Sequence, residues 1–161
     1  MFRNLIHTSD DPVLASLRLV LGIVFFAHGA QKMLGWFGGP GYSASMSMFT
    51  ETLHIPAFLA VLAIAAEFLG GLGLIVGLLS RVAAFAIAVD MVVAVWKVHL
   101  QNGFFMNWTG HKAGEGFEYH LLAIALAATI AIRGAGALSV DRAVELSQHI
   151  HPHVYPQPSR G

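Results

Sequence analysis

The chain contains no cysteine among its 161 residues. That absence excludes disulfides, iron–sulfur clusters, thiolate-bound zinc, covalently attached c-type haem and dithiol redox chemistry carried by this polypeptide. Charge is scarce as well: charged side chains make up 11% of the sequence, less than half of the roughly 25% found in a soluble domain. Nine Lys and Arg balance nine Asp and Glu, so no net field points to nucleic acid or to an acidic partner. A flavin or NAD fingerprint is also missing, because Gly70-Gly71-x-Gly73 lies inside an apolar run and not behind a strand. Residues 1–12 lack the basic start, apolar middle and small-residue cleavage site of a secretory signal, and are expected to be mature sequence.

What is present is apolar. Hydrophobic residues make up 56% of the chain and fall into four stretches, at about 13–34, 56–79, 82–99 and 118–132. A membrane-crossing helix needs about 17–25 residues, so the fourth stretch reaches across only with Glu118, Tyr119 and His120 in the interface. Backbone polar groups in lipid must be satisfied internally, which makes these spans helices. The expected fold is all-α: a polytopic membrane protein, a bundle of four transmembrane helices over residues 13–136, with a short interfacial helix at 43–53 in the first external loop. An N-terminal segment (1–12) precedes it, and an amphipathic segment with a His/Pro-rich tail (137–161) follows. Helix starts are signalled by Asp10-Asp11-Pro12, by Pro56 and by Ser80 as an N-cap; Gly134 and Gly136 close the fourth helix.

An even number of crossings puts both termini on one side. Arg3, Arg81, Arg133, Arg142 and Arg160 share that side, against Lys32, Lys97 and Lys112 on the other, so the termini are expected to be cytoplasmic.

Ionisable groups inside spans cost several kcal/mol unless paired or wetted, so each is a functional candidate. Distance along each span sorts them into two layers. Arg18, Asp90 and Glu67 form the inner one, with Arg18 expected to pair with Asp90 or Glu67 as an ion-pair or proton relay. His28, Lys32, Lys97, His99, Glu118 and His120 form the outer one beneath the external loops. Arg18, Gly22, Phe25, Gly29 and Lys32 share one face of the first helix. Gly70 and Gly71 share a face with Glu67, Gly73 and Gly77 are spaced for close packing, and Ala123, Ala127 and Ala131 form a small stripe. The plain alternatives are structural ion pairs that fix register, snorkelling lysines and interfacial histidines. Glu67 resists them best, being near the midplane.

Arg18-Leu-x-Leu-Gly22-x-x-Phe25-x-x-His28-Gly29-x-x-Lys32 resembles the first-helix signature of the DoxX family. Glu67-Phe-Leu-Gly-Gly71 and Gly77-Leu-Leu-Ser-Arg81 are similar to its second helix and turn. Asn102-Gly103-Phe104-Phe105, Gly116-Phe117-Glu118-Tyr119 and Gly134-x-Gly136-x-x-Ser139-Val-Asp141 are similar to its later blocks. Order and spacing over roughly residues 13–142 carry the resemblance. It implies a small four-helix protein of the bacterial inner membrane, similar to the quinone-linked subunit of thiosulfate:quinone oxidoreductase, with Arg18, His28, Lys32, Glu67 and Glu118 at the matching positions.

The expected function is a quinone-interacting or redox-associated subunit working with a soluble oxidoreductase, an enzyme component only by that kinship. Glu67, Lys32, His28 and Arg18 are the catalytic candidates. His28, Lys32, Lys97, His99, Glu118 and His120 are candidates for holding quinone or quinol. Other readings are a small-solute or proton transporter or channel subunit, a haem b protein using two of His28, His99 and His120, and a membrane anchor. A four-helix unit is small for a transporter, so self-association is expected. The expected surroundings are a lipid bilayer, with no nucleic acid. No metal site is expected, His149-x-His151-x-His153 reading as a solvated tail.

Overall fold

The computed structural model describes residues 2–150. The Asp11 carboxylate accepts from the Val13 and Leu14 N–H groups at 2.9 and 3.1 Å, and Pro12 follows where a missing N–H costs nothing. The long helix α2 (Pro12–Leu34) starts there and stops at Gly35, whose φ of 72° is the left-handed stop glycine supplies readily. It is preceded by a short helix, α1 (Phe2–Ile6), that the sequence does not announce. Helix α3 (Gly41–Ser47) runs into a π turn over Met48–Thr52, in the region where a short helix is expected.

Helix α4 (Ala57–Val76) follows Pro56, and α5 (Ser80–Ala94) continues through a π turn at Val95–His99 and a 3₁₀ turn at Leu100–Asn102. Helices α6 (Glu118–Arg133) and α7 (Val140–Ile150) follow, and no strand occurs among the described residues. Among the described residues, three stretches are long and apolar enough to cross a membrane: Pro12–Leu34, Ala57–Val76 and Ser80–Asn102. The side chains of the His149-x-His151-x-His153 tail lie outside the described residues.

Helix α2 packs along α4, α4 on α5, α5 on α6, and α6 returns to α2. Leu21, Phe25, Leu74, Ile87, Met91, Ala127 and Ile130 fill the centre. The α2–α4 contact is close because glycine permits it. A Cβ on Gly29 would collide with the Phe68 backbone, and one on Gly71 with the Phe26 backbone.

The start of α5 departs from expectation. Ser80 is not its N-cap; Leu79 precedes the helix with φ 48°, and the buried Asp141 carboxylate accepts from the Leu79 and Ser80 N–H groups at 2.8 and 2.9 Å. A serine can bond only a nearby N–H of its own chain segment, whereas a carboxylate arriving from α7 satisfies two donors at once. Arg81 does the complementary job for α6, donating to the carbonyls of Ala131 and Ile132 and to that of His7.

Candidate functional site

Lys32 lies in the last turn of α2 and Glu67 in the middle of α4. Because the glycine contacts bring these helices together, the Lys32 ammonium reaches the Glu67 carboxylate at 2.5 Å. The side chains are 21% and 8% exposed, so this is a largely buried ion pair. Asp90, from α5, adjoins Glu67 and lies within electrostatic reach of Lys32. His28, one turn before Lys32, interacts with both Lys32 and Glu67 but is exposed on the flank of the bundle.

Helix α6 closes the cluster. Tyr119 is within electrostatic reach of Glu67, and His120 of His28. The His120 ring, buried at 6% exposure, lies against that of His99 with centroids 4.0 Å apart and planes tilted by 40°, and meets the Tyr119 ring edge-on. Tyr119 Oη and His120 Nδ1 are buried and have no hydrogen-bond partner among the described residues. The site therefore holds one ammonium, two carboxyl groups, a histidine open to the flank, and two uncommitted polar atoms.

The structure brings together Lys32, Glu67, Asp90, His28, His99 and His120 from the sequence candidates. It does not keep them in two layers, since the ion pair joins Lys32 of the expected outer layer to Glu67 of the inner.

Arg18 is not paired with Asp90 or Glu67. Its guanidinium, 1% exposed, donates through Nε to Ala135 O at 2.8 Å, through Nη1 to Ile75 O at 2.9 Å and to Leu74 O, and through Nη2 to Leu138 O at 3.1 Å and Ala137 O at 3.5 Å. Leu74 and Ile75 carry orphan carbonyls of the α4 C-terminus, where a cation also opposes the helix dipole. Five donors in a rigid fork suit that task.

Lys97 also leaves the cluster. It lies in the π turn, with its ammonium 5.0 Å from the centroid of the Trp96 ring. Glu118 serves its neighbouring loop, accepting from Met106 N at 2.8 Å and Trp108 Nε1 at 3.2 Å. His99 is tied to the same loop through Nδ1 and the Glu115 carbonyl, 2.9 Å apart.

Tyr119 is the site residue that sequence reasoning missed, having been set in the interface. A signal was available: three consecutive polar residues, Glu118, Tyr119 and His120, span about 200° of a helix, so they cannot all face outward. A groove of about 240 Å³ lined by Asp11, Val13, Leu14, Leu17, Thr129 and Arg133 lies at the opposite end of the bundle, away from these groups.

The DoxX family model matches residues 13–100, from α2 through the π turn. Relatives include a Bacillus subtilis (strain 168) protein named "Putative oxidoreductase CatD", 29% identical over 78% of this chain and 81% of that one. An uncharacterised membrane protein of Mycobacterium tuberculosis is 37% identical over 57% of this chain and 54% of its own length. An uncharacterised Haemophilus influenzae protein is 32% identical over 80% and 87%. There is no match among solved structures.

Proposed function

The chain belongs to the DoxX family of membrane proteins, and from that premise we propose that it binds a quinone or quinol within its helices, as a redox-associated subunit working with a soluble oxidoreductase. The observation that carries this reading is the largely buried Lys32–Glu67–Asp90 cluster together with two buried, uncommitted polar atoms on α6, whose Tyr119 lies within electrostatic reach of Glu67. The kinship to a relative named as an oxidoreductase supports the redox half of it.

A quinone headgroup is an uncharged ring with two oxygens, and its redox chemistry moves two electrons and two protons when it is bound. The residues present fit such a group. Tyr119 and His120 offer neutral hydrogen-bonding atoms, and Lys32 and His28 offer further donors. One ammonium meets two carboxyl groups, Glu67 at ion-pair distance and Asp90 beside it, a polar interior that an apolar bundle keeps only where it is used. His28, exposed on the flank beside the pair, gives a lipid-soluble ligand a polar contact at the bundle surface.

The same reading takes α6 as a fourth crossing. Its 16 residues extend roughly 24 Å at 1.5 Å per residue. Ala123, Ala127 and Ile130 are buried along it, while Glu118 and Arg133 mark its ends. In this arrangement α3 lies at the interface, and Arg81, Arg133 and Arg142 put both termini on the cytoplasmic side of the bacterial inner membrane. For the haem alternative, the His99 and His120 rings, 4.0 Å apart, leave no room between them for a porphyrin, so that reading is left with the pairs that include His28.

The test is an absorption spectrum and an organic extract of the detergent-purified protein, before and after dithionite. A protein without visible bands whose extract holds close to one quinone per chain is expected. A Soret band with sharp reduced bands, or an extract free of quinone, overturns the reading; the latter favours proton or solute transport through the same charges.

A further inference from the structure

We infer that Tyr119 and His120 are the pair that seats one oxygen of the ligand ring, and that they are matched to a neutral ring carrying either a carbonyl or a hydroxyl at that position. The inference rests on the quinone reading above and adds to it the residues and the ligand chemistry. Tyr119 Oη and His120 Nδ1 are two buried polar atoms from adjacent positions of one helix turn, and both lack a partner among the described residues. A buried donor or acceptor left unpaired is costly, so two together beside a charged cluster form a site built for something else to complete.

Their chemistry narrows what completes it. A phenol hydroxyl both donates and accepts, and a neutral imidazole nitrogen does one or the other according to its tautomer. Together they can donate to a quinone carbonyl or accept from a quinol hydroxyl without moving. A carboxylate ligand meets Glu67 and Asp90 instead, since Tyr119 already lies within electrostatic reach of Glu67. Tyr119 also packs against the apolar core that contains Met91 and Ala123, which suits the faces of an uncharged ring. His99 acts as a positioning residue: its ring lies on His120 while its Nδ1 is held at the Glu115 carbonyl.

The test is titration of the full-length protein in phosphatidylcholine nanodiscs with decylubiquinone and decylubiquinol, followed by tryptophan fluorescence. The infrared carbonyl band of bound decylubiquinone and the melting temperature of the ligand-free protein are recorded alongside. Tyr119→Phe keeps the ring and removes only the hydroxyl, while His120→Phe removes both ring nitrogens and enlarges the ring. Each is expected to weaken binding about three- to tenfold, the worth of one hydrogen bond, and to move the carbonyl band towards its free frequency. Tyr119→Phe should not lower the ligand-free melting temperature, because the hydroxyl removed has no partner there. His120→Asn, whose amide nitrogen falls near the Nδ1 position, should recover part of the loss. If the wild type binds and both Phe variants bind equally well with an unshifted band, this assignment is wrong and the quinone reading stands. If the wild type binds neither ligand, the quinone reading fails and takes the assignment with it.

Discussion

At the level of single residues, Lys32 and Arg18 show how side-chain direction decides which charges meet. Every Cα–Cβ bond of a helix tilts towards its N-terminus. Lys32, near the end of α2, therefore reaches back into the bundle, while Glu67 on the oppositely running α4 leans towards it. Arg18, near the start of α2, reaches away from the centre to the carbonyls that end α4. Counting positions along the helices was enough to nominate all three residues, but it placed each charge at its Cα and so predicted the wrong partners. The pairing of one lysine with two carboxyl groups has a measurable consequence. Glu67→Gln leaves Lys32 with Asp90 as counter-charge, so the thermal midpoint should fall little. Glu67→Gln combined with Asp90→Asn strands a buried ammonium and should cost roughly 3–5 kcal/mol. Thermal unfolding of the two single variants and the double variant checks this, and additive effects contradict the shared ion pair.

At the scale of elements, the end of the bundle that carries residues 76–81 and 130–141 is held by charges that cap helices other than their own. Arg18 caps α4, Arg81 caps α6 and Asp141 caps α5. The long helices were legible because apolar length and Asp11, Pro12 and Pro56 are local signals. The capping was not, because its partners are separated by 50 to 62 residues, and Ser80 offered a local alternative. The π turn at Val95–His99 was equally invisible, and it carries both Lys97, whose ammonium lies at Trp96, and His99, whose ring lies on His120. Arg18→Lys tests the cap reading. A lysine supplies a point charge but cannot span five carbonyls, so about 2–3 kcal/mol of stability should be lost despite the conserved charge. A melting curve indistinguishable from the wild type contradicts it.

For the molecule as a whole, nearly all apolar length goes into helices that bury small residues against each other, and the few charges are divided between two tasks. Arg18, Arg81 and Asp141 close one end, while Lys32, Glu67 and Asp90 gather inside with His28, Tyr119 and His120. The all-helical class and most of the site residues could be read from sequence, since buried charge in an apolar chain is conspicuous. The division of labour could not, because it depends on which helix faces which. If the interior group is a ligand site, photolabelling will locate it. The purified protein is illuminated with an azidoquinone, with and without excess decylubiquinone, and the labelled peptides are mapped. Label is expected on residues 28–32 or 118–124, suppressed by the competitor. Label spread over the outer helix faces and indifferent to the competitor contradicts it.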